Sequence, residues 1–149
     1  KYFDGEVKED FKTDCELFDA AKETIEKVKN HFNNFEIQEA GNEIISLVNS
    51  TNKYVADSAP WGLAKEEKMN ECGQVLVNVL EIMCVVSSLI YPYCPNIAKE
   101  IARQLNFDLS KNLDSLTLDN IKIGKLIEKD EIKPVFLRLD SEFADKGKK

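Results

Sequence analysis

From about Lys68 to Ile90 the chain runs through Val75, Leu76, Val77, Val79, Leu80, Ile82, Met83, Val85, Val86, Leu89 and Ile90. Placed on a helix, these side chains wrap most of its circumference. A helix that is apolar nearly all round has to be surrounded, either by other protein or by lipid. A membrane span needs about 20 predominantly apolar residues, and Asn78, Glu81, Ser87 and Ser88 interrupt this run. The reading is therefore a central core helix, and the rest of the chain must supply the elements that cover it.

Those elements are visible as three- and four-residue apolar steps. Leu17, Phe18, Ala21, Ile25, Val28 and Phe32 give the stripe of an amphipathic helix from about Asp14 to His31, with Asp14 or Thr13 as its cap and Asn33-Asn34 breaking it. Ile37, Ala40, Ile44, Leu47, Val48, Thr51 and Val55 give a second helix from about Glu36 that ends before Pro60. Pro92 ends the core helix, and Pro95 suits the first turn of a fourth carrying Ile97, Ile101 and Leu105. Beyond Asn106 the pattern turns irregular, with one short turn expected around Leu118 to Ile121. Val135, Leu137 and Leu139 alternate with polar neighbours, which predicts an extended segment. The expected fold is all-α, an antiparallel helix bundle with an extended C-terminal tail.

Composition narrows the function. A chain of 149 residues with 43% hydrophobic and 32% charged residues has enough material for one well-packed core. The formal net charge of −7 argues against gripping nucleic acid through a broad basic surface. It leaves open the recognition of a few unstacked bases, which relies on stacking and edge hydrogen bonds. Cys15, Cys72, Cys84 and Cys94 are scattered without a C-x-x-C pair and His31 is the single histidine, so no zinc site of common spacing is expected. The default is reduced thiols in a cytoplasmic protein. Opening on Lys1 without an apolar run after it, the chain reads as a piece of a longer polypeptide, and residues 141–149 read as a solvated linker or tail.

The most distinctive local pattern is Asn52-Lys53-Tyr54-Val55-Ala56-Asp57-Ser58-Ala59-Pro60-Trp61. Proline cannot sit inside a helix and pushes its predecessor out of the helical region. The only tryptophan is thereby held at a helix terminus. An indole there serves either as a plate on which a splayed base stacks or as a seal at the edge of the core. Asn52 has two readings as well: a polar reader beside that plate, or a side chain that holds the helix end through backbone groups.

The pattern N-x-Y-x-x-x-x-x-P-W followed by Ala64-Lys65 resembles the anticodon-binding domain of methionyl-tRNA synthetases. Tyr2-Phe3-Asp4-Gly5 resembles the family's F-D-G at the end of the domain's first helix. Leu89 to Pro95 resembles its L-x-P-x-x-P turn, and Lys133 to Asp140 its P-L-F-x-R-I-D segment. The marks stand in the family's order and span residues 2 to 140. The resemblance implies a class I synthetase bundle over residues 1–140 that lacks its first helix and the catalytic domain. It implies that Trp61 stacks on the first base of a CAU anticodon, with Asn52, Pro60 and Lys65 around it. It implies tRNA and a parent catalytic domain, packed against the bundle and tail, as partners, with no membrane involved. Further polar base readers would lie ahead of Lys1.

Nothing in these residues looks catalytic. A class I site needs an H-x-G-H pair and a K-M-S-K-S loop, and neither occurs. No Gly-rich phosphate loop is present either. ATP and methionine would belong to the parent enzyme, with no cofactor in this chain. Glu81, within the apolar helix, is expected to meet a polar neighbour or solvent rather than to be buried alone. His31 is expected at the surface of a helix C-terminus. The alternatives are a helical protein-interaction module whose Trp61 seals the core, or the equivalent domain of another class I synthetase.

Overall fold

In the computed structural model, residues 2–12, 14–109 and 112–135 are described. The apolar run becomes α4 (Met69–Leu89), the most buried element, with Cys72, Ile82, Cys84, Val85 and Leu89 fully enclosed. By length and composition this helix could cross a membrane, but 72% of its apolar window is buried within the fold. Its surroundings are protein. The helices α1 (Glu16–Asn33) and α2 (Ile37–Ser58) form a hairpin against it. The six-residue α3 (Pro60–Lys65) and then α5 (Pro95–Leu105) close over its other sides.

Two apolar clusters result. Leu17, Ala21, Ile25 and Val28 of α1 meet Ala40, Ile44 and Leu47 of α2 and Ile82, Val85, Val86 and Leu89 of α4. On the other side of α4, Val77 and Cys84 meet Val7, Phe11, Ala102, Phe107 and Ile121. Burying one large aliphatic or aromatic side chain contributes about 1.5–3 kcal/mol, so both clusters are needed to hold α4 in place. Residue 73 is glycine because a Cβ there would lie 2.5 Å from the Phe11 ring.

Most expected boundaries are matched within two or three residues. Four details differ. Among the described residues the expected cap Asp14 accepts a hydrogen bond only from the N–H of its neighbour Cys15 (3.0 Å), and Cys15 occupies the capping position without a side-chain bond. Thr13, the other candidate, lies outside the described residues. Pro60 opens a further short helix that the apolar periodicity does not announce. The expected turn at Leu118 to Ile121 is absent; a 3-10 turn forms instead at Leu113–Ser115. The strands β1 (Glu6–Val7) and β2 (Gly124–Lys125) pair antiparallel over two residues, tying the N-terminal segment to the strap that follows α5. The expected extended segment lies mostly at 136–140 and the tail at 141–149, both outside the described residues.

Candidate nucleic-acid interface

The distinctive pattern occupies the joint between α2 and α3. At its end α2 turns on Ala59, whose φ of 40° and ψ of 61° place it in the left-handed region. Its N–H donates to the Val55 carbonyl at 3.0 Å, closing α2. Its own carbonyl accepts from Gly62 N at 2.7 Å and Leu63 N at 3.2 Å, opening α3. One residue thus ends one helix and begins the next. Pro60 follows at the first helical position, where its missing N–H costs nothing. Its ring is buried, and it anchors the short helix.

Trp61, next along, turns the other way and is 50% exposed. Half of its surface is open to solvent, so it is not enclosed in the core. Trp61 and Lys65 are four residues apart on α3, so they share a face, with Cβ atoms about 5–6 Å apart. Lys65 is exposed and enters no ion pair among the described residues. Its neighbours Glu66 and Lys68 pair with each other at 2.8 Å. That bond holds the Glu66 carboxyl below its ordinary range and raises the Lys68 ammonium above its own. The cation at residue 65 is left without a partner among the described residues.

Asn52 lies on the exposed side of α2, two turns before its end. Its side chain makes no hydrogen bond among the described residues, so it does not hold the helix end; Ala59 and Val55 do that through the main chain. The four residues singled out by sequence therefore fall on two elements. Pro60, Trp61 and Lys65 are brought together on α3, and Asn52 stands apart on the preceding helix. What the sequence did not reveal was the left-handed Ala59, although Pro60 signalled that residue 59 could not stay helical.

The family model described as the anticodon binding domain of methionyl tRNA ligase matches residues 6–142. The chain belongs to this family. A methionine–tRNA ligase of Clostridium tetani is 36% identical over 130 residues, covering 87% of this chain and 20% of that protein. One from Clostridium acetobutylicum is 33% identical over 144 residues, covering 94% of this chain and 22% of that protein. The chain thus spans about a fifth of the length of these curated relatives. A crystal structure of Mycobacterium tuberculosis methionyl-tRNA synthetase bound by methionyl-adenylate matches with a TM-score of 0.77 at 21% identity. That match covers 92% of this chain and 28% of the other, and it shows the shared all-α fold. As an anticodon-binding domain of the methionyl-tRNA synthetase type, the chain is neither an unrelated interaction module nor the equivalent domain of another class I synthetase.

The other chemically suggestive side chains have structural partners. Glu81, 4% exposed, receives the N–H groups of Asp119, Asn120 and Ile121 at 2.8–2.9 Å and the Asn120 side-chain amide at 2.6 Å. It meets polar neighbours, as expected. His31 sits in the last turn of α1, half-buried, with Nδ1 2.7 Å from Glu36 Oε2. Cys84 is buried in α4, and burial, aided by the nearby Glu81, pushes its thiol far above the usual range. A thiol held protonated is a poor nucleophile. Cys94 is exposed, and all four cysteines are free.

Proposed function

We propose that this chain is the anticodon-reading part of a longer methionine–tRNA ligase, with Trp61 as the plate on which the first base of a CAU anticodon stacks. The observation that carries this reading is the half-exposed indole held on a short helix by a buried proline. A base stacked on an aromatic ring contributes about 1–3 kcal/mol. Lys65, on the same face and without an ion-pair partner among the described residues, meets the phosphate beside that base. Asn52 offers amide donors and an acceptor for a base edge. The bundle at 1–140 acts as a recognition unit in the cytoplasm, with 141–149 as linker. ATP and methionine are bound by the parent's catalytic domain, which joins methionine to the tRNA; this chain alone performs no aminoacylation or ATP–pyrophosphate exchange.

The test is Trp61→Ala. A CAU anticodon stem-loop binds the isolated chain weakly, with a Kd on the order of 0.1 mM, and more tightly in the parent. Trp61→Ala is expected to abolish binding in the parent while leaving the melting temperature nearly unchanged, because a half-exposed ring contributes little to the core. Trp61→Phe retains part of the binding. Stem-loop affinity unaltered by Trp61→Ala would overturn the assignment.

A further inference from the structure

The apolar contact between α2 and α4 is concentrated at one end. Ala40, Ile44 and Leu47, from the first half of α2, cluster with Ile82, Val85, Val86 and Leu89, from the second half of α4. Apolar contact holds helices together without fixing a direction, and here it lies at the end away from α3. Nearer α3 the contact changes character. Thr51 is buried, but its hydroxyl donates to the Leu47 carbonyl at 2.8 Å, a bond within α2. One turn further on, Tyr54 packs at the edge of the cluster, and its hydroxyl accepts from Nδ2 of Asn78 on α4 at 3.2 Å. Asn78 is 3% exposed. Burying an amide costs free energy unless it is bonded, and in coiled coils a buried Asn fixes register at a cost in stability.

The Tyr54–Asn78 bond closes a loop of 24 residues. Within that loop lie the last turn of α2, Ala59, all of α3 and the Glu66–Lys68 turn. At six residues α3 is too short to persist unaided, so it takes its place from its two ends and from its packing on α4. We infer that Tyr54 and Asn78 are positioning residues, whose bond clamps the base of the α2–α3–α4 loop and sets where Trp61 and Lys65 are presented. A directional bond between a ring and a buried amide removes the sliding and tilting that apolar contact alone leaves to the end of α2. Asn78 is enclosed, so it acts through α3 and not by touching RNA. The clamp is read from the fold; its consequence for a base rests on the proposal that Trp61 stacks.

The experiment compares Tyr54→Phe with Ser87→Ala in the 149-residue chain. Each deletes one hydroxyl bond that ties α4 to a neighbouring helix. Ser87 Oγ donates to the Ala98 carbonyl of α5 at 3.0 Å, about 14 Å further along α4 than Asn78. Amide exchange is followed at Gly62, Leu63, Glu66 and Lys68, whose N–H groups close α3 and its exit, with residues 82–86 as the reference for global opening. Tyr54→Phe is expected to speed exchange at the four positions about tenfold more than at 82–86, and to weaken binding of a CAU stem-loop about fivefold. Ser87→Ala is expected to leave both the α3 exchange and the affinity within about twofold of wild type. Equal acceleration at 82–86 in Tyr54→Phe overturns the inference, since the bond would then contribute only to overall stability. So does an equal response of α3 to Ser87→Ala. Exchange is read without RNA, so the clamp is judged apart from the stack. If Trp61→Ala leaves stem-loop affinity unaltered, the stacking assignment fails and exchange alone decides on the clamp. If Trp61→Ala weakens binding while an opened α3 does not, the inference is overturned.

Discussion

Ala59 stands in a backbone region that costs an L-residue about 1–2 kcal/mol, and it does so directly before Pro60. Glycine there would remove the strain and lose about 0.5–1 kcal/mol to the greater freedom of its unfolded chain. Ala59→Gly is therefore expected to raise stability by about 0.5 kcal/mol in urea unfolding; a loss of 1 kcal/mol or more would show that its methyl is a packing contact. Glu81 is the opposite case, a buried carboxylate with both acceptor oxygens satisfied. Its two oxygens face only N–H groups, so Glu81→Gln turns an amide NH2 toward donors. A lost bond plus an unsatisfied group amounts to about 3 kcal/mol, readable as a lower urea midpoint at unchanged slope. Both residues show where sequence reading stops. Pro60 announced that residue 59 must leave the helix, but not on which side of the φ axis. Glu81 was legible as an acid needing partners, yet those partners lie 38 to 40 residues further along the chain.

Among the helices, legibility followed the number of turns. α1, α2, α4 and α5 each have at least three turns, so their apolar stripes repeat, and Pro60, Pro92 and Pro95 punctuate them. α3, at six residues, is too short for any periodicity to register. The turn expected at Leu118 to Ile121 failed for a different reason: its N–H groups are taken by Glu81 rather than by local carbonyls. The strap after α5 is likewise held by long-range bonds. Arg103 and Gln104 each donate to Glu100, and they also donate to the carbonyls of Glu131 (3.1 Å) and Lys133 (2.8 Å). The bonds from Arg103 and then Gln104 hold the Glu100 carboxyl down to about 2, from an ordinary 4.5. A depressed carboxyl stabilises the fold fully above its unfolded pKa, and the contribution is lost as pH falls through the folded one. The strap at residues 131–133 is therefore expected to loosen between about pH 4.5 and pH 2. Amide exchange should show release of these residues before α4, and Glu100→Gln should already show it at pH 6 and make it insensitive to acid.

At the scale of the molecule, charge decides how the proposed RNA partner would be met. A net charge of −7 gives no long-range attraction for phosphate, and the α3 platform has one cation, Lys65, unpaired among the described residues, with exposed Lys53 beside Asn52 on α2. Each phosphate neutralised on a single strand adds about −0.7 to the slope of log K against log salt. Stem-loop binding by this chain should thus show a slope between about −0.7 and −1.4, far shallower than that of a protein with a basic groove. Lys65→Ala should flatten the slope by about 0.7 and weaken binding similarly for any loop sequence, since a phosphate contact positions without reading bases. Trp61→Phe, which weakens the stack without removing it, should lower affinity at every salt concentration and leave the slope unchanged, since a stack releases no counterions. The two substitutions separate the electrostatic from the stacking contribution. A wild-type slope steeper than about −3 would require a cationic surface that the described residues do not contain, and it would move the main RNA contact away from α3.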